Sequence, residues 1–247
     1  MTALLAARGL RKSFGAVVAA DDVTIEVPRG QRVSLIGSNG AGKTTFVNMV
    51  TGYLKPDSGS IALDGQDITK RSPREVTRLG VARSFQIPQL ALEMDALDNV
   101  LVAAACNDGA TSFLRPAHAP EHIDRAMALL ERFGLAEHAH RRCAELPGGV
   151  RKLLDIAMAL TGSPRLLLLD EPTSGVSVEE KFPMMDTIDA ALGDEVTVLF
   201  VEHDMDIVTR YAERVIAFYS GRVIADDPPA AVLADEQVKR YVTGTAR

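Results

Sequence analysis

Gly37-Ser38-Asn39-Gly40-Ala41-Gly42-Lys43-Thr44 fits the pattern GxxxxGK[ST], and it lies between an apolar run ending at Ile36 and a helical pattern beginning near Lys43. Strand, loop and helix in that order are the context in which the pattern carries meaning. Glycines let such a loop wrap closely round phosphates, so that backbone N–H groups and a helix N-terminus face the negative charge. The loop residues Asn39, Gly40, Ala41 and Gly42, with Thr45 on the helical turn that follows, are therefore expected to bind a nucleotide's phosphates. Lys43 is expected to reach the terminal phosphates and Thr44 to offer its hydroxyl to Mg²⁺.

Working outward, short β-rich runs alternate with helical patterns, the mark of an α/β domain with a largely parallel sheet. Strands are predicted at Val23–Val27, Arg32–Ile36, Gly59–Leu63, Leu166–Leu169, Val196–Val201 and Arg214–Tyr219. Leu166–Leu169 and Val196–Val201 are nearly continuous apolar runs, as expected of strands buried on both faces and central in a sheet. Between Phe85 and Pro164 no strand is predicted, and Asp95–Ala105, Ile123–Phe133 and Arg151–Leu160 carry helical spacing. The expected fold class is α/β, a P-loop core interrupted by a helical subdomain, with residues 1–86 and 164–247 as the core and 87–163 as the insertion. Gly109, Pro116 and Pro120 mark Asn107–Pro120 as the least regular stretch.

The run Leu166–Leu169 ends in Asp170-Glu171, which puts two carboxylates at the carboxyl end of a strand, where ligands of open α/β sheets bind. Asp170 is expected to hold Mg²⁺ through its water shell, and Glu171 to take a proton from attacking water. Val196–Val201 ends in Glu202-His203-Asp204, which brings an imidazole to the same edge. His203 is expected to hydrogen-bond the γ-phosphate and the water that Glu171 holds, so reporting whether ATP or ADP is bound.

Composition limits the alternatives. The chain has 247 residues, 47% of them hydrophobic and 24% charged, which is the balance of a globular protein with a sizeable core. A formal charge of −6 speaks against nucleic acid as the main partner. Cys106 and Cys143 have no ligand-like spacing, the usage of a reducing compartment, and the default expectation is cytoplasm. The N-terminal MTALLAARGLRKSF lacks the apolar core of a signal peptide, and no apolar run approaches the ~20 residues that cross a bilayer. Any membrane connection is expected to come through a partner. His118 and His122 are spaced i, i+4, but no cysteine or carboxylate set completes a metal site, so these, His138 and His140 are read as solvated surface. Arg141-Arg142 and Arg151-Lys152 read as surface charges or γ-phosphate neighbours, and Ala230–Val242 as an amphipathic helix.

The P-loop, Gln86, Leu146-Pro147-Gly148-Gly149-Val150, Leu166–Pro172 reading LLLLDEP, and His203 follow one another in the order that marks the ATP-binding cassette family of transporter ATPases. The chain resembles that family over nearly its whole length. The resemblance implies a mainly parallel central sheet, an N-terminal antiparallel β part and a helical subdomain carrying a signature motif. It implies that Phe14 stacks on adenine, although Phe14 alone could equally be an ordinary packed residue. Gln86 is implied to touch Mg²⁺ and water while linking core and subdomain. Gly148 and Gly149 are implied to close over ATP held by the P-loop of a second ATPase subunit, identical or sister. Further implied partners are integral membrane permease subunits and, indirectly, a solute-binding protein, with the chain peripheral on the cytoplasmic face of the membrane.

Two positions depart from the family pattern. Pro147 stands where serine is usual and supplies neither hydroxyl nor N–H, though proline suits a first helical turn. Ser177 stands where aspartate is usual, which implies slow ATPase activity in the isolated subunit. Ala82–Gln86 and the VEHDMD of Val201–Asp206 are most similar to ATPases of branched-chain and hydrophobic amino acid importers, with lipid-export and amide-import ATPases as alternatives. A soluble cassette ATPase would bring a long coiled coil or a second cassette, and a GTPase an NKxD motif. The sequence has none of these.

Overall fold

The computed structural model describes residues 3–108 and 118–244, and the irregular stretch read at Asn107–Pro120 falls largely outside them. The strands are β1 (Ala3–Phe14), β2 (Val17–Pro28), β3 (Arg32–Gly37), β4 (Ser58–Leu63), β5 (Gln66–Asp67), β6 (Val81–Ser84), β7 (Leu166–Asp170), β8 (Thr197–Val201), β9 (Arg214–Tyr219) and β10 (Arg222–Asp227). The helices are α1 (Lys43–Val50), α2 (Pro73–Arg78), α3 (Ala96–Asp108), α4 (Pro120–Arg132), α5 (Gly148–Leu160), α6 (Val178–Leu192), α7 (Met205–Tyr211) and α8 (Pro229–Ala234), then a turn at Glu236–Val238 and a π-turn at Lys239–Thr243. Every predicted strand lies within an observed one or overlaps it closely, and the three predicted helices correspond to α3, α4 and α5. Among the described residues no helix is long and apolar enough to cross a membrane.

Two compact units form. The first holds residues 1–81, 165–168 and 194–247, the second 82–164 and 169–193. One sheet has the order β2-β1-β4-β5, with all its pairs antiparallel. The other has the order β10-β9-β3-β8-β7-β6, in which β3 runs parallel to β8 and β9, and β10 is antiparallel to β9. Both apolar runs predicted as central are interior strands.

The first unit's core joins both sheets to α1. Leu5, Ala7, Ile25 and Ile61 pack in one cluster with Phe46, Met49, Leu35 and Phe218. The rings of Phe46 and Phe218 lie 5.8 Å apart. Each fully buried side chain of this size contributes roughly 1.5–3 kcal/mol. In the second unit α4 begins with Pro120 at a position that needs no N–H, and it buries Ala126, Leu129 and Leu130 on one face. Gly134, at φ 65°, stops it: Leu135 N–H donates to the Leu130 carbonyl and Gly134 N–H to that of Glu131, a Schellman ending.

Four strands escape the periodicity, one of them the two-residue β5. β1 is broken by register shifts between Ala7 and Leu10 and again beyond, so its apolar residues do not alternate. β6 is four residues long and carries Arg83. β10 is a solvated edge ending in Asp226 and Asp227, held by Arg214 Nη2 donating to Asp226 at 2.6 Å. The helix expected over Ala230–Val242 is interrupted at Asp235, which is extended (ψ 132°) because its carboxylate accepts from Gln237 and Val238 N–H and starts a new turn.

Glu75 closes a capping box on α2: Ser72 N–H and hydroxyl hold its carboxylate, with Arg71 adding a bond, and its pKa is lowered to about 2. A depressed acid favours the fold above its unfolded pKa, and that contribution fades as pH falls from about 4.5 to about 2. NMR titration of Glu75 should give the low value in the native chain and a value nearer the ordinary one in Ser72→Ala. Gly42 sits at φ 108°, and a Cβ there would collide with the carbonyl oxygen of Ala19. Gly42→Ala should lower stability by about 1–3 kcal/mol in thermal melts.

Candidate functional site

In the first unit the buried strand β3 runs straight into the loop Ser38–Gly42 and then α1. Backbone packs directly on backbone here. A Cβ on Gly37 would come within 2.5 Å of the Phe218 carbonyl oxygen, and one on Gly42 would meet Ala19 and Gly221. The loop is pinned by Ala41 N–H donating to Ser38 O at 3.1 Å and Gly221 N–H to Ala41 O at 2.9 Å. Lys43 is buried, with its ammonium donating to the carbonyls of Gly37 at 2.6 Å and Ser38 at 3.1 Å. A cation is thereby fixed at the start of a helix, a setting for negatively charged oxygens.

β8 lies beside β3 with Leu35 opposite Val201, so the residues after β8 emerge at the edge where the loop starts. Glu202 is buried there and its N–H points at Leu35 O, 3.4 Å away. Its carboxylate accepts from His203 N–H at 3.1 Å, and His203 itself is exposed at that edge. Asp204 caps α7 through the N–H groups of Asp206 and Ile207. Phe14 ends β1 at an exposed turn, 52% accessible, opposite Val17. The strand leaving that turn is the one whose Ala19 meets Gly42, so Phe14 stands on a hairpin that abuts the loop.

In the second unit Asp170 ends β7 and Glu171 follows with φ 50°. Few non-glycine residues adopt this left-handed conformation. Glu171 is held there by bonds to its carbonyl, from Lys152 Nζ at 2.9 Å and Ser174 N–H at 3.1 Å. Its carboxylate accepts from Gln86 Nε2 at 2.8 Å. Asp170 accepts from Arg83 Nη2 at 2.6 Å in a pair only 9% and 14% exposed, and the Arg83 guanidinium lies 4.8 Å from the centre of the Phe85 ring. Gln86, Asp170 and Glu171 thus form one group.

Pro147 occupies the N-cap of α5, and Gly148 and Gly149 are its first two helical residues with open space around both. The proline therefore leaves the helix start in place, and Arg151 N–H closes on its carbonyl at 3.0 Å. Ser177 is the N-cap of α6, with its hydroxyl donating to Glu180 at 2.9 Å. Serine and aspartate both serve at such a cap.

Sequence reasoning passes over Arg83 and Asp155 as members of this group, and it reads Lys152 as a surface charge or γ-phosphate neighbour, whereas its Nζ lies part-buried on the Glu171 carbonyl. Asp155 lies in α5 with Leu154 and Ile156 buried on either side, and a carboxylate at a buried helical position was the available signal. Burial pushes its carboxyl up, while bonds from Ser84, Gln89 and Phe85 pull the other way. His118 instead pairs with Asp98 at 2.8 Å, and among the described residues no group of three or more His, Cys, Asp or Glu converges.

Known proteins are similar to this chain in sequence and fold. Residues 20–174 match the sequence model of the ABC transporter family. The chain is 36% identical to the high-affinity branched-chain amino acid transport ATP-binding protein LivG of Salmonella typhimurium, covering 98% of both chains. A crystal structure of the ADP conformation of an ATP-binding cassette of an ABC transporter superposes with a TM-score of 0.85 at 32% identity, covering 97% of this chain and 98% of that one. A dimeric post-hydrolysis ATP-binding cassette bound to ADP and Pi gives 0.77 at 25%, covering 91% and 98%. With its loop, acidic strand end and glycine-led helix in family order, and with that identity along its length, the chain belongs to the ABC transporter family as an ATP-binding cassette.

Proposed function

We propose that this chain binds ATP and hydrolyses it to ADP and phosphate, powering uptake of branched-chain or other hydrophobic amino acids, or related small amides, through partner permeases. The observation that carries the hydrolytic part is the Gln86–Glu171 pair at the end of a buried strand. The cargo reading rests on the resemblance carried by Ala82–Gln86 and Val201–Asp206 and on the likeness to LivG.

In this reading the loop Asn39–Thr45 wraps the β- and γ-phosphates, which the ammonium of Lys43 helps to hold, and Phe14 stacks on adenine. Thr44 and Asp170 offer only oxygens, which suits Mg²⁺, an ion that takes one or two protein oxygens and completes its shell with phosphate and water. Gln86, with its amide nitrogen on Glu171, presents its carbonyl oxygen to the same ion or to water. Bound Mg²⁺ supplies charge neutralisation at the phosphate oxygens. Glu171 takes the proton of a water that attacks the γ-phosphorus opposite the bond to the β-phosphate, and His203 steadies the γ-phosphate. Gly148 and Gly149 at the start of α5 close over the γ-phosphate of a second ATPase subunit, so two nucleotides are enclosed per pair. The difference in ATP affinity between closed and open pairs is what a permease can use. The working place is the cytoplasmic face of the membrane, with a solute-binding protein delivering cargo on the far side.

Glu171→Gln should keep ATP affinity, slow hydrolysis by about 100-fold or more and accumulate an ATP-bound dimer in light scattering. Full turnover by that variant would remove Glu171 from the chemistry. The isolated chain should hydrolyse ATP more slowly than the about 10 s⁻¹ typical of enzymes, and co-reconstitution with its permeases should raise the rate and yield ATP-dependent leucine uptake into proteoliposomes. Vigorous turnover without any partner would contradict the slow rate that Ser177 implies.

A further inference from the structure

Asp155 is 7% exposed on α5, yet both its carboxylate oxygens are engaged by one short stretch of chain. Oδ2 accepts from the Ser84 hydroxyl at 2.6 Å and from Phe85 N–H at 3.2 Å. Oδ1 accepts from Gln89 N–H at 2.9 Å. The donors lie on either side of Gln86, and Gln89 Nε2 closes the return by donating to the Ile87 carbonyl at 2.9 Å. The chain is therefore wrapped round a buried carboxylate with Gln86 exposed on it, and that side chain donates to Glu171. Such a carboxylate is costly to desolvate, and the three bonds offset that cost only in one geometry.

The same helix reaches Glu171 by a second route. Lys152, nearly one turn before Asp155, donates to the Glu171 carbonyl at 2.9 Å. α5 also begins with Gly148 and Gly149. One rigid element thus carries the glycines at its start, a grip on the backbone of Glu171, and a grip on both flanks of Gln86.

We propose that Asp155 is a positioning residue for hydrolysis: by accepting from Ser84, Phe85 and Gln89 it fixes Gln86 to α5, so that movement at Gly148 and Gly149 is delivered to the Gln86–Glu171 pair. Its effect passes through Gln86, and the inference therefore rests on the catalytic reading of Gln86 given above. An apolar residue of similar size would fill the same space but could not order the loop.

Asp155→Asn keeps shape and removes one acceptor, since its NH₂ group would face a backbone N–H. In single-turnover hydrolysis by the full-length chain with Mg²⁺ and ATP, this variant should lose about 10- to 100-fold in rate, with ATP affinity changed less than about twofold. Amide exchange at Phe85 and Gln89 should quicken. In a Gln86→Ala background the same substitution should cost no further rate. Equal losses in both backgrounds, or an unchanged rate in the native background, would overturn the proposal. If Gln86→Ala alone leaves the rate unchanged, it is the catalytic reading of Gln86 that fails. Ser84→Ala, which removes one hydroxyl donor, decides the matter should Asp155→Asn not fold. A severalfold loss that vanishes in the Gln86→Ala background supports the assignment, and no loss or an additive one overturns it.

Discussion

Carbonyl oxygens of Ala19 and Phe218 occupy the places where side chains at Gly42 and Gly37 would begin, so the turn from β3 into α1 is built of backbone against backbone. That closeness sets the first unit's plan. β9 must lie beside β3 to bring Phe218 in, and β2 must come across from the antiparallel sheet to bring Ala19 in. The cluster holding Phe46 to Phe218 secures the same approach from beneath. The turn is in this sense a packing problem solved by two sheets, and Gly37 and Gly42 are demanded by neighbours far away in sequence.

In the second unit, polar groups do the organising. Arg83 on Asp170, Lys152 on the Glu171 carbonyl and Asp155 on the chain around Gln86 form a set of partly and fully buried bonds among residues distant in sequence, and Gln86 on Glu171 adds an exposed one. Buried polar groups of this kind tolerate little displacement because each lost partner leaves a desolvated atom behind. The left-handed backbone at Glu171 fits that picture, since such a conformation persists only where surrounding contacts hold it.

The sequence made some of this legible and hid the rest for identifiable reasons. Local patterns sufficed for β3, β7, β8 and β9, because strands buried on both faces read as apolar runs, and for α3 to α5, because a buried stripe has helical spacing. β1 escaped because bulges break its alternation, and β10 because three of its six residues are charged and the apolar three stand side by side. Among the candidate residues, those in a contiguous motif such as Lys43 and Thr44 were legible as a group. Arg83 and Asp155 were not, because what each touches lies 87 and 66–71 positions away, and no spacing rule reaches that far.

The strand β7 is shared: Leu166–Leu168 belong to the first unit, while Leu169 and Asp170 belong to the second. With the passages at 81–82, 164–165 and 193–194, the chain crosses between units four times. A continuous stretch of gene therefore encodes neither unit. A contiguous block exchanged with another chain would thus separate residues that pack in one core.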